Sequence, residues 1–177
     1  MPLGNYLMPY FHISPWQFSL LVGAYSISAA VSGFTAAFIV DRFDRKKVLL
    51  VSYAGFIIGT LACGIAPTYG LLLGSRILAG LFGGIIGAQV LSIIADLFVY
   101  ERRGTAMGAV MSAFAVASTL GVPFSLYLTN LFNFNWHVPF LLVGGIGIVL
   151  IPLIYKFIPG MSAHLKSVGN RESTWRV

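Results

Sequence analysis

Charged residues fall in a few short clusters along this chain, and long apolar stretches lie between them. Residues 1–40 contain no Asp, Glu, Lys or Arg, and the same holds for 48–75, for the stretch between Arg76 and Asp96, and for 104–155. A membrane-spanning helix needs about 20 mostly apolar residues. Each gap therefore holds one or two such helices. The pattern predicts spans at about Pro15–Val40, Val48–Ile65, Tyr69–Phe98, Gly104–Thr129 and Trp136–Phe157. Ser14-Pro15-Trp16-Gln17 reads as the start of the first span. Ser14 is the N-cap, Pro15 the first helical residue and Gln17 the far arm of a capping box. The connections are Asp41–Lys47, Ala66-Pro67-Thr68, Val99–Arg103 and Asn130–Asn135. Residues 1–13 are apolar but too short to span, and read as the end of a helix that begins upstream of Met1. Residues 14–158 form the helical body. Residues 159–177, rich in Ser, Gly, Asn and charge, read as a tail.

Composition agrees with this picture. Of the 177 residues, 58% are hydrophobic and 9% charged, with mean hydropathy +0.88. Ordinary soluble domains carry about 25% charged residues. A disordered chain and a soluble enzyme are excluded on this ground. The net charge of +6 suggests no nucleic-acid partner, because the basic residues sit in clusters between spans, where they orient membrane proteins. Ten of the eleven Lys and Arg lie near 41–47, near 99–103 or after 155, and the turns at the other ends hold none. The positive-inside rule therefore places 41–47, 99–103 and the C-terminal tail in the cytoplasm. Short loops suit a bacterial inner membrane. The lone Cys63 can form no intrachain disulfide. His12, His137 and His164 have no metal-ligand spacing, so no metal site and no cofactor is expected. No nucleophile–base pair suggests an enzyme.

Small residues recur within the spans. Small side chains allow helix backbones to approach closely in lipid, and Gly80, Gly83, Gly84 and Gly87 are expected to serve that packing. Arg76 stands alone inside a span, which costs several kcal/mol unless it faces a cavity or a partner. It either lines an aqueous pathway or extends toward the nearer helix end. Gly80 is assigned with Arg76 to that pathway, and Tyr25, Gln89 and Met111 are candidates to line it, or ordinary packing residues.

Three ordered motifs carry a family resemblance. Val40-Asp41-Arg42-Phe43-Asp44-Arg45-Lys46-Lys47 resembles the loop between helices two and three of the major facilitator superfamily, G-x-L-A-D-R-x-G-R-R/K. Asp41, Arg42, Arg45 and Lys46 match it, whereas Ala37 and Asp44 replace its glycines. Arg76 to Gly80 resembles the helix-four motif, with an Arg four residues before a Gly. Ile94–Phe98 followed by Glu101–Gly108 resembles the end of helix four and the start of helix five. The chain is thus similar to helices two to six, with the end of helix one, of an all-α membrane bundle. The family normally has twelve helices in two halves.

The resemblance implies alternating access with a small-molecule substrate, and the overall likeness leans to the drug:proton antiporters, hence protons and a second six-helix half as partners. It implies a cytoplasmic latch in which Asp41 and Arg45 pair with Asp96. Solvated interfacial charges are the simpler account. Gly121-Val122-Pro123 resembles the antiporters' helix-five motif and is expected to mark a bend; a tolerated proline is the simpler account. Two other readings stay open: a non-transporting membrane interaction module, and an inactive truncated transporter.

Overall fold

The computed structural model describes residues 3–39, 43–132 and 135–157, with the side chain of Ile39 excepted. Asp41, Arg42 and the tail lie outside these. Every element among the described residues is a helix, with no strand: α1 (Gly4–Phe11), α2 (Pro15–Ile39), α3 (Arg45–Gly64), α4 (Tyr69–Leu97), α5 (Tyr100–Leu131) and α6 (His137–Phe157). All but α1 are long and apolar enough to cross a membrane.

Local chemistry sets the helix ends. α1 stops where His12 takes a left-handed conformation (φ 51°), and Ile13 N–H donates back to the Met8 carbonyl at 3.1 Å. This wrap-around bond closes an open helix end. The capping box at α2 forms as expected: Ser14 N–H donates to Gln17 Oε1 (2.9 Å) and Gln17 N–H to Ser14 Oγ (3.3 Å). Thr68 Oγ1 accepts from Leu71 N–H (3.3 Å) and caps α4.

Two expected loops are corrected. Arg45, Lys46 and Lys47 are the first turn of α3, not part of a loop. Cations are unfavourable at a helix N-terminus, and Asp44 offsets them. Its Oδ1 accepts from Lys46 N–H (2.9 Å) and Lys47 N–H (3.3 Å). Likewise Tyr100–Arg103 are helical, and only Phe98 and Val99 separate α4 from α5. Charged side chains past the apolar part of a span can find partners or reach water without breaking the helix, so the helix continues through them.

α4 is the spine of the bundle. α2 and α3 each pack on it rather than on each other, and α6 packs mainly on α3. Burial of apolar surface does not hold helices together in lipid; close packing does. At the α2–α4 crossing a Cβ on Gly80 would lie 2.5 Å from the Tyr25 carbonyl oxygen, and one on Gly84 would meet the Ala29 carbonyl. Gly87 departs from the expectation. It faces open space, as does Gly74, because both lie off the buried faces of α4.

The end of the bundle opposite the α3 N-terminus holds the largest packed cluster. Leu3, Leu7, Leu21, Cys63, Ala66, Leu72 and Trp136 are all buried there. Trp136 stacks on His137 with ring centroids 3.8 Å apart. His137 Nδ1 lies 2.6 Å from the Gly64 carbonyl and ties α6 to the end of α3.

α5 is the loosest member. Only Leu128 and Thr129 of its residues are buried. It is fastened at both ends. Tyr6 Oη donates to Asn130 Oδ1 at 2.7 Å. At the other end Arg103 donates to the Ala95 carbonyl (Nη2, 2.6 Å) and the Phe98 carbonyl (Nε, 3.0 Å).

Candidate functional site

Arg76 is the eighth residue of α4, about two turns from its start. It lines a partly open cavity of about 260 Å3 between the helices. Tyr25 of α2, Phe56, Thr60 and Cys63 of α3, Ser125 of α5 and Phe140 of α6 complete the lining with Leu3 and others. The guanidinium carbon lies 5.0 Å from the centre of the Phe140 ring and 6.0 Å from that of Tyr25. Both distances are within the range of a cation–π contact. The arginine therefore faces inward among aromatic rings, which compensate part of the cost of placing a charge at this depth. Thr60 spends its hydroxyl hydrogen on the Phe56 carbonyl (2.8 Å), and its oxygen can still accept. The cavity combines a cation, two aromatic faces and hydroxyl groups. That chemistry suits one end of an amphipathic molecule.

The other expected pathway residues separate. Tyr25 joins the Arg76 cavity. Gly80 sits one turn away at the α2–α4 crossing, where its absence of a side chain lets α2 approach. Gln89 is buried, 2% exposed, but away from the cavity. It shares a heptad stripe with Phe82, which abuts Gly55 of α3, and with Asp96. Its Oε1 has no hydrogen-bond partner among the described residues. Met111 is 53% exposed on α5 and lines no described cavity. Gly121 meets nothing within 4 Å, and Pro123 lies within an α5 that continues to Leu131.

At the charged end the structure brings together part of the expected cluster. Arg45 Nη1 and Asp96 Oδ2 are 3.2 Å apart and join the start of α3 to the end of α4. Arg45 is the more buried of the two, 12% against 36% exposed. Lys46 Nζ stands 4.8 Å over the Tyr155 ring of α6. Asp41 and Arg42 lie outside the described residues.

Sequence reasoning missed three contributors. Phe140 and Cys63 come to Arg76 from other helices, and nothing in their local spacing marks them. Arg103 was read only as an anchor. An arginine shortly after the end of an apolar helix is a signal for a carbonyl cap.

Among the described residues, five membrane-length helices surround an arginine-lined cavity, the layout of a polytopic membrane protein. The chain belongs to the Major Facilitator Superfamily, whose family model matches residues 1–177. The uncharacterised MFS-type transporter YceJ of Bacillus subtilis is 31% identical over 160 residues, 90% of this chain and 40% of its own length. Multidrug resistance protein 3 of the same organism is 31% identical over 126 residues, covering 71% of this chain and 24% of that protein. The vacuolar membrane amino acid uptake transporter fnx2 of Schizosaccharomyces pombe is 32% identical over 126 residues, 71% of this chain and 22% of its own. Among solved structures, a bacterial homologue of the human lysosomal transporter Spinster, in an inward-facing and occupied conformation, superposes with TM-score 0.67 at 23% identity. It covers 87% of this chain and 38% of that one. That likeness concerns the fold. The chain spans at most 40% of the length of these relatives.

Proposed function

We propose that this chain supplies helices two to six of the amino-terminal half of a proton-coupled transporter, which exports a small amphipathic, drug-like solute by alternating access. It works by rocking against a second six-helix half, with the charged end in the cytoplasm of a bacterial cell. The observation that carries this reading is the cavity at Arg76. A cation well inside a span that faces a cavity rather than lipid marks a solute or ion pathway. The rings of Phe140 and Tyr25 and the hydroxyls of Thr60 and Ser125 supply an apolar and a polar side for one molecule. Two of the similar proteins are named for multidrug resistance and efflux. Arg45 and Asp96 form one arm of a latch, which Asp41 completes, and the latch holds the cytoplasmic side closed.

The test uses the whole transporter in proteoliposomes with an imposed proton gradient. Norfloxacin, an aromatic drug bearing a carboxylate, is the probe. Arg76→Ala is expected to abolish gradient-driven norfloxacin movement at unchanged protein level, and Asp41→Asn to cripple it. Normal transport by Arg76→Ala would refute the assignment of the cavity. Loss that tracks protein level would make the arginine structural.

A further inference from the structure

Gly83 of α4 stands apart from the packing glycines on either side of it. Arg76, Gly80 and Gly83 fall at i, i+4 and i+7, on one stripe of the helix. Tyr25 of α2 lies along that stripe. A Cβ on Gly80 would lie 3.1 Å from the Tyr25 Cα, and a Cβ on Gly83 would lie 2.9 Å from the Tyr25 hydroxyl. The side chain thus reaches from the level of Gly80 to that of Gly83, with its ring centre 6.0 Å from the Arg76 guanidinium carbon. The Phe56 ring is the next neighbour, 3.6 Å from the Gly83 Cβ position. Tyr25 and Phe56 both line the Arg76 cavity, whereas Gly83 does not. Its missing side chain is a notch into which the phenol oxygen fits.

The glycines at this crossing differ in what a side chain would strike. At Gly80 and Gly84 the obstacle includes a backbone carbonyl of α2, which moves only with its helix. At Gly83 it is the far end of one side chain. Among the described residues no hydrogen bond holds the Tyr25 hydroxyl, and the residue is half-buried. Phe56 bounds the notch on one side, so a phenol pushed out of it turns into the space that it already lines, the cavity of about 260 Å3. A methyl group at position 83 therefore leaves the helices in place and makes the cavity smaller.

We propose that Gly83 is a positioning residue for solute binding: it seats the Tyr25 phenol clear of the cavity and so sets the room beside Arg76. The inference rests on the reading of this cavity as the solute site. A solute that fits the open cavity meets an overpacked one when the phenol is displaced, which corresponds to a loss of about fivefold or more in affinity.

The test is norfloxacin binding to the detergent-purified whole transporter, followed by the drug's own fluorescence anisotropy, with unfolding in dodecyl sulfate as a second readout. Gly83→Ala is expected to resist dodecyl sulfate at least as well as wild type, unlike Gly84→Ala. It should bind norfloxacin about fivefold or more weakly. A Tyr25→Phe background lacks the oxygen that the notch holds. There Gly83→Ala should change the affinity by less than about twofold, whatever the affinity of Tyr25→Phe itself. Three results would overturn the proposal. Gly83→Ala that fails to fold, or unfolds as easily as Gly84→Ala, makes Gly83 a packing position. Unchanged norfloxacin affinity in Gly83→Ala makes the phenol's seat irrelevant to the solute. An equal loss in the Tyr25→Phe background removes the hydroxyl from the account. Failure of the underlying reading looks different: wild type itself then binds no norfloxacin, or Arg76→Ala binds it equally well, and this inference falls with it.

Discussion

Gly84 and Gly87 are three residues apart on α4, and the same substitution should move stability in opposite directions at the two positions. A Cβ on Gly84 would fall on the Ala29 carbonyl oxygen and the Ser32 hydroxyl, with the Ala29 carbonyl carbon 2.8 Å away. Two of those three atoms are backbone, which cannot rotate aside. α2 and α4 would have to separate along their shared crossing. Overpacking of this kind costs about 1–3 kcal/mol. Alanine returns about 1 kcal/mol of helix propensity over glycine. The clash involves backbone, which argues for the upper end of the cost, so Gly84→Ala should lose about 2 kcal/mol. A Cβ on Gly87 meets nothing within 4 Å. Only the propensity gain remains there, at most about 1 kcal/mol. The two variants should thus differ by about 3 kcal/mol. Equilibrium unfolding in dodecyl maltoside with increasing dodecyl sulfate, followed by far-UV ellipticity, measures both. Shifts of the same sign and similar size would refute the claim that α4's glycines act through which face they occupy.

Two further predictions concern the charged end. Arg45→Gln, Asp96→Asn and the double variant form a thermodynamic cycle. The coupling between them should be about 1 kcal/mol, the upper range for a pair still partly open to water, and the reversed pair Arg45→Asp with Asp96→Arg should recover stability lost by either single reversal. A coupling near zero would leave the two as solvated charges. Arg103→Ala should cost about 1–2 kcal/mol by releasing two carbonyls at the end of α4. It should also speed hydrogen exchange of the amides around 96–102, and unchanged exchange there would refute a capping role.

The five membrane-length helices were legible because each depends on the local absence of charge, a property of consecutive residues. The capping box at Ser14 and Gln17 was legible for the same reason, since both partners lie within one turn. The helix ends at Arg45 and Tyr100 were misplaced because charge was read as loop, although a charged residue past the hydrocarbon edge can remain helical. Tyr25 shares a cavity with Arg76 and Gln89 and Met111 do not, a difference that the sequence does not carry. All three are single residues within long spans, and only the neighbouring helix decides whether one lines the Arg76 cavity (Tyr25), is buried away from it (Gln89) or is exposed (Met111). Gly80 and Gly87 differ in the same way, since the sequence contains the residue type but not the face its neighbours cover. Phe140 reaches Arg76 from 64 positions away in the chain, a separation that no local pattern spans.

The arrangement in which α2 and α3 share α4, but not an interface with each other, also bears on synthesis. A membrane protein is inserted from its N-terminus onward, so α2 and α3 enter the bilayer before α4 exists. Neither is packed on the other in the bundle, and the faces that will meet α4 wait for the time needed to make about 30 more residues, at about 5–20 residues per second. The arrival of α4 then orders both at once, and α6 can dock only on an α3 already held in place. The completion of α4 therefore times the seating of α2 and α3, and a fault in α4 leaves both without a seat.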